Sequence, residues 1–80
     1  MADTRLVLAF HRSLYLPSAV DAAREAYEGY AESIEVQSDE HNVTVTLRGF
    51  DAGYGDVIGD AFANHVLFET VVRSRQALGG

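Results

Sequence analysis

The chain has no cysteine and no lysine, and each absence excludes a class of protein. Without cysteine there is no disulfide framework and no zinc site built on thiolates. All six basic residues are arginines, scattered from Arg5 to Arg75, and they face twelve acidic residues, which gives a formal net charge of −6. Phosphate contacts need clustered cations, so this charge argues against a dedicated nucleic-acid-binding protein. We therefore expect partners other than nucleic acid.

A long apolar run is also missing at the N-terminus. The run LVLAF at residues 6–10 is too short for the core of a signal peptide or for a membrane span. The sequence therefore predicts a soluble cytoplasmic protein without membrane contact. Its 80 residues make a single domain, 1–80, and domains this small often depend on oligomerisation for stability.

Local patterns in the first half of the chain predict a strand, a helix and a hairpin. The apolar run RLVLAF at residues 5–10 is typical of a strand buried on both faces, and HRSLYLP extends it towards Pro17. An amphipathic helix follows over about 18–31, with Ser18 as its N-cap. Its apolar stripe consists of Ala19, Val20, Ala23, Ala26, Tyr27 and Tyr30.

The next two segments predict a β-hairpin. SIEVQ and VTVTLR alternate apolar and polar residues on either side of the turn SDEHN. This alternation predicts two paired strands with one face buried and the other exposed to solvent.

A long second helix is predicted from about Asp56 to about Leu78, after the glycine-rich loop GFDAGYGD at residues 49–56. One apolar stripe consists of Val57, Ile58, Ala61, Phe62, His65, Phe68 and Val72. An adjoining arc widens the apolar part of the helix to about 200°, whereas one sheet face needs a stripe of just over 100°. The resulting fold class is α+β, a two-layer β-α-β-β-α domain with two helices on an antiparallel sheet. This layout resembles a ferredoxin-like unit without its last strand.

The adjoining arc of the second helix is the main indication of function. It consists of Leu67, Val71 and Leu78. On a small domain, an apolar patch that one sheet cannot cover is typical of a protein interface. We predict that these residues form such an interface, with Phe50 and Tyr54 as neighbours, through which the chain self-associates or docks on a larger enzyme.

Candidate catalytic and metal-binding residues are few. His11, His41 and His65 fall on a strand end, a turn and a helix, without the spacing of a metal motif. A nucleophilic Ser13 would lack the G-x-S-x-G context, and the glycine loop differs from the dinucleotide-binding pattern. We predict no catalytic residue, no cofactor and no metal. The rival reading, a small-molecule enzyme, needs a pocket that gathers His11, Ser13 or His65 with acidic residues.

The terminal pair Gly79 and Gly80 is also found at the activated end of ubiquitin-like carriers. In those proteins the pair leaves a final β-strand, whereas here it follows a predicted helix. We predict that Gly79 is the residue with positive φ that ends this helix.

Two segments carry a family resemblance that covers about residues 13–76. SLYLPSAVDAAREAYEGYAESIEV resembles the opening of the His-Xaa-Ser system protein HxsD, with a tyrosine before an alanine-rich helix and then a strand. IGDAFANHVLFETVVRSR resembles the second helix of that family, with Phe62, Asn64, Arg73 and Arg75 in similar places. The resemblance implies an accessory protein of a peptide-modification system that also contains a radical-SAM maturase and a substrate rich in His-Xaa-Ser repeats.

A second resemblance concerns layout more than residues. The small dimerising subunit of the KEOPS tRNA-modification complex also runs β-α-β-β-α and has an asparagine in its long last helix. This resemblance implies a homo-oligomer that works through protein contacts. The sequence leaves both alternatives open, as well as a small domain of this layout with no activity of its own.

Overall fold

The computed structural model describes residues 4–78, and the side chains of residues 4–76. Its elements are β1 (Arg5–His11), α1 (Pro17–Tyr27), β2 (Ser33–Ser38), β3 (Asn42–Arg48) and α2 (Gly55–Leu78). Short 3₁₀ turns occupy Glu28–Tyr30 and Ala52–Tyr54. The predicted α+β class and the order β-α-β-β-α are confirmed. Gly79, the predicted end of the last helix, lies outside the described residues. No helix among the described residues is long and apolar enough to cross a membrane.

The three strands form one antiparallel sheet in the order β1-β3-β2. The central strand β3 points Val43, Val45 and Leu47 into the core, and the threonines between them towards the opposite face. The predicted hairpin is confirmed. Asp39 closes its turn, because one carboxylate oxygen accepts the backbone N–H groups of His41 at 2.8 Å and Asn42 at 2.7 Å.

β1 is buried on one face only, so the prediction of a strand buried on both faces was wrong. Leu6, Leu8 and Phe10 point towards the core, whereas Val7 is 49% exposed. A continuous apolar run does not distinguish a central strand from an edge strand whose outer face is also apolar. The extended continuation to Pro17 was wrong as well, since Leu14 and Tyr15 both donate their backbone N–H to the His11 carbonyl at 3.0 Å and turn the chain.

α1 begins at Pro17, and its N-cap is Leu16 rather than the predicted Ser18. Proline suits the first turn, because its fixed φ is helical and its missing N–H would have no partner there. Leu16 makes no side-chain cap bond. Instead, its backbone N–H donates to the hydroxyl of Thr70, a buried residue of α2, at 3.3 Å.

The buried stripe of α1 is shorter than predicted. It consists of Ala19, Val20 and Ala23, all fully buried. Tyr27 is half-buried, and Ala26 is exposed. Tyr30 is also exposed, since the chain has already left α1 for a 3₁₀ turn at that point.

α2 packs beside α1 and over β1. The ring of Phe62 lies 6.1 Å from that of Phe10 and 5.5 Å from that of Tyr27, measured between centroids. Gly59 allows the close approach to the sheet, because a Cβ at this position would lie 2.9 Å from Leu6 Cδ2. These contacts fix which side of α2 enters the core.

The molecule is elongated along α2. The helix has 24 residues, which corresponds to about 36 Å at 1.5 Å per residue. The principal extents are 50 × 23 × 17 Å, and the Cα radius of gyration is 13.1 Å, against about 11.6 Å for a compact chain of this length. Part of α2 therefore extends beyond the sheet.

Candidate protein-interaction surface

The side of α2 that enters the core differs from the predicted stripe. The buried residues repeat every three or four positions, as expected of one helix face, and consist of Ile58, Phe62, Val66 and Thr70. Val66 and Thr70 were not part of the predicted stripe. The prediction that Val57 and Phe68 belong to the core stripe was wrong, since each is 63% exposed. The reason is that apolar residues occur all around α2, so their spacing does not select one face.

The opposite side of α2 carries the exposed apolar residues. We call Leu67, Phe68 and Val71 the outer face of α2; their exposed fractions are 48%, 63% and 42%. Leu67 and Val71 are four positions apart and Phe68 and Val71 three, so the three side chains are neighbours on the helix surface. Leu67 and Val71 are exposed, in agreement with the predicted apolar arc that the sheet does not cover. The side chain of Leu78, the third predicted member, lies outside the described residues.

Charged groups near this surface belong to the flank of α2 rather than to the outer face itself. Glu69 lies between two bases, with carboxylate oxygens 3.9 Å from His65 Nε2 and 3.8 Å from Arg73 Nε. Partly exposed pairs at these distances contribute little stability. The exposed Asn64 and Arg75 lie one turn before and one turn after the outer face. The surface thus has an apolar centre with a polar rim, the usual anatomy of a protein interface.

Phe50 and Tyr54, the predicted neighbours of this surface, lie near the other end of α2. Phe50 is buried in the core, and Tyr54 is 62% exposed. Both line a groove of about 620 Å³ between the end of α1 and the start of α2, together with Tyr27 and Tyr30. The start of α2 is separated from Leu67 by about 18 Å of helix. The structure therefore does not bring Phe50 and Tyr54 to the outer face.

His11, Ser13 and His65, which the rival enzyme reading needs in one pocket, are not gathered around this groove. The hydroxyl of Ser13 lies 2.7 Å from His11 Nδ1, but both residues are exposed and the contact belongs to the turn after β1. His65 lies on α2, where it packs edge-on against the ring of Tyr27 at 5.8 Å. The groove lining includes none of the three. Within residues 4–78, no cluster of His, Cys, Asp and Glu side chains is placed to hold a metal ion.

Comparison with known proteins gives no match to any family model, to any curated protein or to any solved structure. The resemblances to HxsD and to the KEOPS subunit therefore stay predictions from the residues that carry them.

Proposed function

We propose that this chain is a non-enzymatic accessory protein that docks on a larger protein through the outer face of α2. The observation that carries the proposal is the exposure of Leu67, Phe68 and Val71 on the side of α2 opposite to a complete core. A surface helix normally presents charged and polar residues on that side. Contiguous exposed apolar side chains on a soluble domain are typical of a surface that a partner covers.

The outer face supplies enough apolar surface to matter for affinity. Full burial of a valine, leucine or phenylalanine side chain is worth about 1.5–3 kcal/mol. About half of each of the three side chains is still exposed, so their burial by a partner contributes about 1 kcal/mol each, or about 3 kcal/mol together. That free energy corresponds to a factor of about 100 in the dissociation constant.

The shape of the molecule also supports docking at this surface. Because α2 extends beyond the sheet, a partner reaches its outer side without competing with α1 or with the strands. Asn64 and Arg75, two of the residues that resemble HxsD, are exposed on either side of the outer face. In the context of that resemblance, the partner is a radical-SAM maturase or its substrate peptide.

The proposal is tested with the double variant Leu67→Asp/Val71→Asp in an affinity pull-down from the native host, with the bound proteins identified by mass spectrometry. Leu14→Asp is the matched control, since Leu14 is an exposed leucine outside α2. We expect the double variant to lose its partner while it keeps its circular dichroism spectrum, and the control to bind as the wild type does. Unchanged partner binding by a folded double variant would contradict the proposal.

The identity of the captured protein separates the alternatives. A radical-SAM enzyme or a peptide rich in His-Xaa-Ser repeats supports the HxsD-like role. An ATPase of tRNA modification supports the KEOPS-like role. Recovery of the chain alone, with self-association that the double variant loses, assigns the outer face to contacts between copies.

A further inference from the structure

The outer edge of β1 presents backbone groups that no strand among residues 4–78 pairs with. Near one end of the strand, Gly49 donates its N–H to the Thr4 carbonyl at 3.1 Å, and at the other end Arg12 donates its N–H to the His41 carbonyl at 2.8 Å. The register between these points is unbroken, and hydrogen-bonded pairs alternate along an antiparallel ladder. The even-numbered residues of β1 therefore bond to β3.

The odd-numbered residues of β1 point their N–H and C=O groups away from β3. These residues are Arg5, Val7, Ala9 and His11. The strand has no proline, and no charged residue lies between Arg5 and His11. Natural sheets usually protect an open edge with a charge, a proline or a bulge, because an unprotected apolar edge pairs with other strands.

The second open edge of the same sheet is protected. β2 carries Glu35 in its middle, and Glu32 precedes it. If the β2 strands of two copies paired, their glutamates would bring negative charges together. Of the two edge strands, β1 is therefore the one whose open edge is free to pair with another strand.

We propose that β1 pairs with β1 of a second copy of this chain, antiparallel, across a two-fold axis at Leu8. In this register Val7 of one copy lies opposite Ala9 of the other, and Arg5 lies opposite His11. All four outward residues of each copy then exchange both of their backbone hydrogen bonds. Two three-stranded sheets become one six-stranded sheet whose two free edges are the acidic β2 strands.

In this register, apolar side chains of one β1 strand also lie opposite apolar side chains of the other. On the core side, Leu6 lies opposite Phe10, and the Leu8 residues of the two copies face each other. These are non-hydrogen-bonded pairs, in which opposed side chains approach most closely. Leu6 and Leu8 are only partly buried within one copy, so the pairing extends the apolar layer of each copy into the other. Within Arg5–His11 the strand has no acidic residue, although the chain has a net charge of −6.

The first test compares the full-length wild type with Val7→Pro by sedimentation velocity. Proline removes an N–H that points away from β3, and an edge strand tolerates proline at such a position. The control is Ser38→Pro, because the register with β3 and the bond from Asp39 N–H to the Asn42 carbonyl place the Ser38 N–H on the open edge of β2. We expect a dimer of the 8.7 kDa chain for the wild type and for Ser38→Pro, and a monomer for Val7→Pro.

The second measurement uses the wild type alone and stays decisive if Val7→Pro does not fold. In the dimer, the amides of Val7 and Ala9 should exchange with solvent more slowly than that of Val36, which lies on the open edge of β2. A monomeric wild type, a Val7→Pro variant that is still dimeric, or equally fast exchange of these three amides overturns the proposal. The Leu67→Asp/Val71→Asp variant should stay dimeric, so the failure of the α2 proposal and the failure of this one are distinguishable.

Discussion

Replacing Gly59 with alanine measures how closely α2 lies against β1. The new Cβ would lie 2.9 Å from Leu6 Cδ2, closer than carbon atoms normally approach. Alanine in a helix interior is more favourable than glycine by about 0.8–1.0 kcal/mol, whereas an extra methyl group in a packed site costs about 1–3 kcal/mol. We expect Gly59→Ala to lower the free energy of unfolding by about 0–2 kcal/mol in the wild-type background, the sum of these two effects.

In a Leu6→Val background, we expect Gly59→Ala to stabilise the protein rather than destabilise it. Valine has no δ carbon, so the close contact disappears, at a cost of about 0.5–1.5 kcal/mol for the lost methylene. In the Leu6→Val background, Gly59→Ala should raise the free energy of unfolding by up to about 1 kcal/mol, the helix-propensity gain alone. The coupling energy between the two positions is then about 1–3 kcal/mol, the size found for residues in contact.

Urea denaturation followed by circular dichroism measures all four members of this cycle. Thermal unfolding gives a second reading, since 1 kcal/mol shifts the midpoint of a domain this size by about 4–8 °C. Gly29→Ala is the control, because a Cβ at Gly29 meets no heavy atom within 4 Å, and its effect should be equal in both backgrounds. If Gly59→Ala has the same effect in both backgrounds, the Leu6 side chain moves aside without cost, and its contact with position 59 does not limit how closely α2 lies against β1.

Two further predictions concern the hairpin turn and the two faces of α2. The backbone N–H of Asn42, and then that of His41, hold the pKa of Asp39 below 3.8, so its stabilising contribution should be present above about pH 4 and be lost as pH falls through the folded-state pKa. NMR titration of the carboxyl group checks the pKa, and Asp39→Asn should remove this acid dependence of unfolding while it keeps an acceptor oxygen. Phe62→Ala should lower the free energy of unfolding by about 3–5 kcal/mol. Phe68→Ala, at an exposed position of the same helix, should change it by less than about 0.5 kcal/mol, and equal losses in denaturation curves would contradict the assignment of the two faces.

The hairpin and the order of elements were predictable because their signals are local. Val43, Val45 and Leu47 alternate with threonines, and that period of two fixes both the strand and its buried side. The start of α2 was predictable from the glycine-rich loop before it, and the structure begins the helix at Gly55, one residue before the predicted start.

The orientation of α2 was not predictable, because a helix that is apolar all around gives no preferred face. Phe68 and Val66 are both apolar and two positions apart, yet one is exposed and the other is buried. Tertiary contacts decide which of the two is buried. These contacts are the close approach of α2 to the sheet at Gly59 and the packing of Phe62 against the rings of Phe10 and Tyr27. The outer face was therefore predicted in part, through Leu67 and Val71, while Phe68 was assigned to the wrong side.

The bond between Leu16 and Thr70 joins the start of one helix to a side chain of the other. α1 has no side-chain cap at its start, and the acceptor for the N–H of its N-cap residue lies 54 positions later in the chain. Pro17 favours the start of α1 from the local sequence, but the N–H of Leu16 has this protein acceptor only while α2 is docked. Local opening of α2 should therefore loosen the first turn of α1 as well, which couples the local stability of the two helices.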